Sequence, residues 1–225
     1  MRLRALGVLV VAAAALIFAA CGLYDEHPYA LPSATAPAGV NLLQDASFED
    51  TGAWTPTALT AFSIDGERAY SGIASGELRG TKAGAAASQP LEGLTSIPEF
   101  VSGYYRLDDW KPVDAGAEIG FRMTVRAAGD AYYTLHFVIG GPQEAPAGLP
   151  GNEAYVFLSR AAPATGGWRY FGYPVAAAFK DRFGLSPAGM QAIELGIELR
   201  GEGTQAWFDD VYAGTQAGNP NRPSR

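Results

Sequence analysis

Glu118–Arg126 reads EIGFRMTVR, with apolar side chains at every second position. The apolar set is Ile119, Phe121, Met123 and Val125. Successive side chains of a strand point to opposite sides, so this period of two predicts a β-strand with one buried and one polar face. An amphipathic helix would need a period near 3.6 residues, which this stretch lacks.

The same alternation recurs in two other stretches. Its apolar positions there are Tyr133, Leu135, Phe137 and Ile139, and then Ile193, Leu195, Ile197 and Leu199. Weaker strand candidates are Val101–Leu107, Tyr155–Leu158, Trp168–Tyr173 and Ala206–Tyr212, with Gly and Pro in the gaps. Many short one-sided strands with such turns predict an all-β fold, an antiparallel β-sandwich or jelly roll.

One stretch departs from the strand pattern. Phe179 and Phe183 lie four residues apart, and Gly184 is a plausible helix stop. Ser186-Pro187 favours a second helical turn through Met190. We expect short helical turns near residues 175–190, on a loop of the sandwich.

The N-terminus is typical of an export signal. Arg2 and Arg4 precede an uncharged stretch from Ala5 to Tyr24, and a basic start before an apolar run indicates a signal peptide. The alternative is an uncleaved membrane anchor, since about 20 apolar residues span a bilayer. Ala19-Ala20-Cys21 resembles the lipobox of bacterial lipoproteins, although Phe18 stands where that motif usually has Leu. The resemblance implies cleavage after residue 20 and lipidation of Cys21, the single cysteine of the chain.

The remaining chain divides by composition. Residues 21–39 carry Pro28, Pro32 and Pro37 among small residues and predict an extended tether. Residues 40–213 hold the strand candidates and predict one β-sandwich domain, followed by a disordered tail at 214–225. The lipobox resemblance, with Gly22 after the cysteine, implies a lipid-anchored protein of the cell envelope, in the outer membrane of a Gram-negative bacterium.

The charge balance excludes some partners. The chain has a net charge of −7, and loss of Arg2 and Arg4 with the signal leaves 14 basic and 23 acidic residues, or −9. An acidic protein does not suit nucleic acid or an anionic membrane surface. We therefore expect no nucleic-acid partner and membrane contact through the lipid anchor alone.

Four segments of the domain are similar to the galactose-binding-like jelly rolls, a group that includes many carbohydrate-binding modules of xylanases and glucanases. They are NLLQDASFED at Asn41–Asp50, AYSGIASG at Ala69–Gly76, Gly167-Trp168-Arg169, and AWFDDVY at Ala206–Tyr212. The resemblance implies a glycan-binding module. It also implies a structural Ca²⁺ held by Glu49, Asp209 and the carbonyl of Ser47, whereas the alternative is that Glu49 and Asp209 cap turns.

Strand alternation also predicts a binding face. Sugar sites combine aromatic planes with polar groups, and the polar sides of the strands carry Tyr104, Arg106, Arg122, Tyr132 and His136. We interpret these five residues as one saccharide groove. The alternative is an ordinary solvent face covered by Arg–Glu pairs across strands.

Catalytic patterns give little support for an enzyme. His136 is the single histidine of the predicted domain, and no nucleophile elbow, zinc motif or phosphate loop occurs in the sequence. Two further functions stay open besides a non-catalytic glycan-binding lipoprotein. The first is a structural or assembly lipoprotein that docks another envelope protein, and the second is a small jelly-roll hydrolase or lyase.

The lipoprotein hypothesis predicts the behaviour of a Cys21→Ser variant. Without the thiol that accepts the lipid, the chain should accumulate as an unprocessed precursor that takes up no labelled fatty acid. Gel mobility and radiolabelled palmitate measure both properties. Wild-type labelling and mature size in the variant would contradict the hypothesis.

Overall fold

The computed structural model describes residues 40–50, 52–142 and 144–221. The predicted signal peptide, Cys21 and tether lie outside the described residues. The described residues contain the strands β1 (Thr55–Pro56), β2 (Phe62–Asp65), β3 (Ser75–Arg79), β4 (Ala85–Pro90), β5 (Phe100–Arg106), β6 (Glu118–Arg126), β7 (Tyr132–Gly140), β8 (Glu153–Phe157), β9 (Trp168–Tyr173), β10 (Ala192–Arg200) and β11 (Gln205–Gly214).

The strands form two sheets, which confirms the predicted β-sandwich. The six-stranded sheet has the order β1-β4-β10-β6-β7-β8, and the five-stranded sheet has the order β2-β3-β11-β5-β9. Neighbouring strands are antiparallel except β7 and β8, which are parallel. A parallel pair requires a long crossover connection, and here the segment between Gly140 and Glu153 provides it.

The core lies between the inner faces of the sheets. Phe121 of β6 and Phe137 of β7 stack with ring centroids 4.6 Å apart, and Phe171 of β9 lies 5.4 Å from Phe121. Phe208 of β11 meets Phe171 edge-on at 6.3 Å. All four side chains are buried, so aromatic side chains from both sheets hold the layers together.

The three strongest strand predictions are neighbours in the six-stranded sheet. β6 pairs with β10 on one side and β7 on the other, with Phe121 opposite both Ile197 and Phe137. Their apolar residues are buried in the core as the alternation predicted, except Tyr133, which is partly buried against it. Their polar residues consequently lie together on the outer surface of this sheet.

One of the two predicted helical turns is present. Helix α1 (Val175–Phe183) ends at Gly184, whose φ of 67° is left-handed and whose N–H bonds to the carbonyl of Lys180. The second prediction, at 186–190, is wrong: Ala188 instead forms a β-bridge with Ser96. No helix among the described residues is long and apolar enough to cross a bilayer.

The described part of the predicted tail differs from the expectation of disorder. Asn219 is buried; its Oδ1 accepts from the Ser102 hydroxyl at 2.9 Å, and its Nδ2 donates to the Tyr170 hydroxyl at 3.0 Å. Asn221 donates a side-chain hydrogen bond to the carbonyl of Asp210. Residues 215–221 are therefore held on the outer face of the five-stranded sheet by amide side chains, which composition alone did not indicate.

Candidate functional site

The outer surface of the six-stranded sheet, here called the polar face, carries three of the five predicted ligand-binding residues. Arg122 of β6 lies directly opposite His136 of β7, and Arg126 lies opposite Tyr132. Arg122 and His136 are flanked along their strands by core residues of the opposite parity, and Tyr132 precedes Tyr133, which packs partly buried against the core. The predicted orientation of Arg122, Tyr132 and His136 agrees with the structure.

The prediction that Tyr104 and Arg106 join this face is wrong. Both lie on β5, a strand of the five-stranded sheet, and their side chains point to the outer side of that sheet. Val101, Tyr105 and Leu107 are buried as the alternation required. Alternation identifies the inward side of a strand but not the sheet to which the strand belongs, and that is the physical reason for the error.

A cavity of about 410 Å³ opens on the polar face. This volume falls within the range of small-molecule sites. The lining residues are Thr57, Ala58, Thr81, Ala83, Gly84, Ala85, Ala86, Glu118, Arg122, His136, Glu198, Leu199 and Arg200. The turns before β2 and β4 thus form one wall, and charged side chains of β6, β7 and β10 form the other.

His136 is held between two carboxylates. Its Nδ1 lies 2.9 Å from Oε1 of Glu198 and its Nε2 lies 3.2 Å from Oε1 of Glu153, while its ring stacks on Tyr155 at 4.6 Å. Burial by itself would lower the pKa of His136, but the hydrogen bond and negative charges of the glutamates raise it above its ordinary value. Both ring nitrogens can therefore donate, as in the imidazolium form.

Glu118 is the most deeply buried acid of the cavity, with 3% of its surface exposed. Burial and the nearby charge of Glu198 raise the pKa of Glu118 to about 7, against the opposing effects of Arg200 and His136. Its Oε1 lies 3.4 Å from Nη1 of Arg200. Its Oε2 is buried and has no hydrogen-bond partner within the described part of the chain.

Arg122 lies across β10 because Gly196 has no side chain. A Cβ on Gly196 would lie 3.3 Å from Nε of Arg122, so a larger residue there would displace the guanidinium. Nη2 of Arg122 approaches Glu194 at 3.8 Å, whereas its Nε is buried without a hydrogen-bond partner among the described residues. Glu118 and Arg122, which line the cavity, thus each have one buried polar atom of this kind.

The polar face differs from the predicted groove in its aromatic residues. Tyr132 is 52% exposed but lies four residues from His136, about 13 Å along the strand, and does not line the cavity. Tyr155 is only 6% exposed. The Arg–Glu pairs of the alternative interpretation are present at Arg122–Glu194 and Arg200–Glu118, so a network of charges dominates this face.

Several residues of the site did not emerge from the sequence. Glu153 and Tyr155 reach His136 because β8 adds in parallel to the edge of β7, and the cavity wall at Thr57 and Thr81 comes from loops. The alternation did place Glu118 on the polar side of β6. Nothing in the sequence, however, showed that its carboxyl group is buried.

The predicted calcium ligands have other partners. The buried carboxylate of Asp209 accepts hydrogen bonds from the backbone N–H groups of Tyr70 at 2.6 Å, Ser71 at 3.1 Å and Asp210 at 2.7 Å. Glu49 accepts from the N–H of Ile73 at 2.9 Å. The carbonyl that contacts β11 is that of Ala46, which accepts from Val211; Ser47 is half-buried beside it.

These residues, as placed, do not fit a calcium ion. Calcium requires six to eight oxygen ligands, but both carboxylates face N–H donors of the turn at 70–73. In the part of the chain that the structure describes, no three of His, Cys, Asp and Glu lie together in positions to hold a metal. The arrangement agrees with the alternative in which Glu49 and Asp209 hold a turn, and calcium stays a prediction of the resemblance.

Comparisons with known proteins give similarity at the level of architecture. No family model matches the chain, and no curated protein matches it. A carbohydrate-binding module of family 61 solved with β-1,4-galactotriose is 11% identical, covering 77% of this chain and 97% of its own with a TM-score of 0.45. The xylan-binding CBM22-1 domain of Paenibacillus barcinonensis Xyn10C is 18% identical, with coverages of 80% and 96% and a TM-score of 0.46.

A third solved structure belongs to the same class of modules. The C-terminal family 22 carbohydrate-binding module of Clostridium thermocellum Xyn10B is 12% identical, covers 84% of this chain and 99% of its own, and has a TM-score of 0.48. All three are carbohydrate-binding modules, the class to which the sequence resemblance pointed. Similarity at this level carries no conclusion about the ligand of the present chain.

The charge network predicts that stability falls as pH rises. The folded state keeps a proton on Glu118 up to about pH 7, whereas the unfolded chain releases it near its ordinary pKa of 4.5. Stability therefore falls between these values, by about 3 kcal/mol for this group. The raised pKa of His136 acts in the same direction, because its contribution is complete below 6.5 and is lost as pH rises through the raised pKa.

We expect the melting temperature to fall between pH 5 and pH 8 in wild type and to fall less in Glu118→Gln. Calorimetry across this range measures both. The matched control is Glu194→Gln, an acid of the same face whose side chain is 44% exposed. An unchanged pH dependence in Glu118→Gln would contradict the role assigned to its buried carboxyl group.

Asp209 gives a separate prediction about the metal. Asp209→Ala removes the acceptor of three N–H groups and should cost about 2 kcal/mol or more, or about 4–8 °C in melting temperature. Because the carboxylate bonds to N–H groups, a chelator should leave the wild-type melting temperature unchanged. If a chelator instead lowers the melting temperature of wild type but not that of Asp209→Ala, the calcium site is supported.

Proposed function

We propose that the cavity of the polar face binds a glycan and that the domain acts as a non-catalytic carbohydrate-binding module. The observation that carries the proposal is the cavity of about 410 Å³, whose lining includes the charged side chains of Glu118, Arg122 and Glu198. This volume is in the range of small-molecule sites. Hydrogen bonds to charged groups are stronger than those between neutral groups, so such a lining can hold a ligand with several hydroxyl groups.

Sugar hydroxyl groups fit such a lining. Each hydroxyl can donate one hydrogen bond and accept others, so neighbouring hydroxyls of one sugar can accept from the guanidinium of Arg122 and donate to the carboxylate of Glu198. The cationic and anionic side chains of the cavity are similar in number, with Arg122, His136 and Arg200 facing Glu118 and Glu198, and Glu153 behind His136. This balance suits a polar ligand without a large charge.

The surrounding ion pairs hold these groups in place before the ligand arrives. Glu198 is bonded to His136, and Arg200 lies against Glu118. Side chains already fixed in position lose little freedom when a ligand binds, which favours affinity. The contact with His136 engages Glu198 as an acceptor, and we assign the acids of the cavity to binding rather than to acid–base catalysis.

We further propose that the domain is anchored in the cell envelope through a lipid on Cys21, at the outer membrane of a Gram-negative bacterium. This part rests on the lipobox-like sequence before Cys21 and on Gly22 after it. The Pro residues and small residues between Cys21 and the domain have the composition of a tether.

One observation favours a second candidate, docking of an envelope protein. No exposed aromatic plane lines the cavity, because Tyr155 is packed under His136 and Tyr132 lies apart from it. Sugar sites commonly contain such a plane, whereas a protein partner could pair with the charged groups alone. The experiment below separates the two functions.

Binding of the purified chain to a glycan array and to gels containing soluble polysaccharides tests the proposal. Arg122→Ala should weaken binding about tenfold or more, which corresponds to the loss of a charged hydrogen bond of about 1.4 kcal/mol. The matched control is Arg126→Ala, because Arg126 lies on the same strand and face but outside the cavity.

Three results would contradict parts of the proposal. Equal binding by Arg122→Ala and wild type would show that the glycan does not bind in the cavity. Release of reducing sugar from the bound polysaccharide would contradict the non-catalytic role. Absence of glycan binding, together with stoichiometric recovery of one envelope protein that Arg122→Ala fails to retain, would favour docking.

A further inference from the structure

The outer face of the five-stranded sheet carries an aromatic cluster that the cavity does not use. It consists of Tyr70, Tyr104, Trp168 and Tyr170. Tyr70 and Tyr104 stack with centroids 3.6 Å apart and planes inclined by 16°. Trp168 meets Tyr70 nearly at a right angle at 6.0 Å, and Tyr170 meets Tyr104 in the same way at 5.7 Å.

Tyr70 is the exposed member of this cluster. It is 45% exposed, and Tyr104 covers one face of its ring. A tyrosine ring is a large apolar surface, and leaving it in water forgoes its burial energy. Tyr70 therefore presents a partly exposed apolar ring in contact with Trp168.

The backbone that carries Tyr70 is fixed by carboxylates. Asp209 accepts from the N–H groups of Tyr70 and Ser71, Asp210 accepts from the Ser71 hydroxyl at 2.7 Å, and Glu49 accepts from the N–H of Ile73. β11 is irregular between Asp209 and Tyr212, and Asp210 has a φ of 47°. This irregularity directs Asp209 and Asp210 toward the turn. The exposed ring is thus held in a fixed position, which lowers the entropic cost of binding.

Polar groups border the plane. Arg106 lies opposite Trp168 on the neighbouring strand, and its Nε donates to Asp108 at 2.8 Å. Arg68 reaches the same carboxylate at 3.3 Å and lies over the ring of Trp207 at 4.5 Å. An apolar plane bordered by planar hydrogen-bonding groups matches a pyranose, which has an apolar C–H face and hydroxyls at its rim.

We propose that Tyr70 and Trp168 form a second glycan-contact site on the face opposite the cavity. The size of the plane selects the ligand: a stable protein interface buries about 1,200–2,000 Å², whereas one exposed ring flanked by ion pairs matches a single sugar. The two sites lie on the outer faces of opposed sheets, so a straight polysaccharide strand cannot cover both. The domain therefore engages two strands and cross-links them.

Cross-linking rests on the proposed cavity site as well, whereas binding at Tyr70 does not depend on the cavity. The test uses the full chain in detergent, with xylan, β-glucan and β-1,4-galactan as probes. Retardation in polysaccharide gels reports binding, and turbidity of the mixture reports cross-linking. Tyr70→Ala should weaken retardation about tenfold and remove turbidity. Tyr70→Phe, which keeps the ring, should behave like wild type.

Ile73→Ala is the matched control, because Ile73 is 78% exposed on the same turn and the ring stack is formed by Tyr70 and Tyr104. Ile73→Ala should leave retardation and turbidity unchanged. If this surface docked a protein instead, the variant would weaken binding of that protein. Trp168→Ala is a second variant of the site, and melting curves verify that each protein is folded. Wild-type retardation in folded Tyr70→Ala and Trp168→Ala overturns the second site.

The two proposals fail in different ways. Loss of retardation in Arg122→Ala with no change in Tyr70→Ala leaves the cavity and overturns the second site. Loss of retardation in Tyr70→Ala with no change in Arg122→Ala overturns the cavity as a binding site. That result supports the second site without cross-linking. Loss of turbidity in each single variant, with residual retardation in both, supports two sites on one domain. No retardation of wild type on any probe overturns both sites.

Discussion

The structure depends on the apposition of two aromatic inner faces. Phe121 and Phe137 from one sheet meet Phe171 and Phe208 from the other, and all four are buried. Since the inner positions of β6, β7 and β10 must be apolar to form this layer, the alternating positions of the same strands must face outward. The position of the polar face is therefore a consequence of the core.

That outward face is itself partly buried, which determines its chemistry. β4 with the turn before it and β8 flank the three central strands, so that Glu118 and His136 have little exposed surface although they lie outside the core. Charges in such a place must be paired, and the pairs with Arg200 and Glu198 meet this requirement. Oε2 of Glu118 and Nε of Arg122 are buried without partners among the described residues, as are Nε of Arg126 and Nε2 of Gln89 outside the cavity.

The outer face of the five-stranded sheet is organised differently. There the β11 irregularity directs Asp209 and Asp210 toward the turn at 70–73, and the turn covers Tyr104 with Tyr70. The segment at 215–221 covers neighbouring positions through Asn219 and Asn221. The acids that the family resemblance linked to calcium thus bond to backbone N–H groups, and they position an exposed aromatic ring.

The sequence alone determined what depends on neighbours along the chain. The alternation of β5, β6, β7 and β10 predicted their buried sides, and Gly184 predicted the end of α1, because side-chain direction and backbone conformation are local properties. Only the tertiary structure decided which sheet contains β5, and therefore that Tyr104 and Arg106 lie far from Arg122 and His136. Sheet membership, the parallel addition of β8 and the burial of Glu118 arise from pairing between distant strands, and a side-chain period of two carries no information about that pairing.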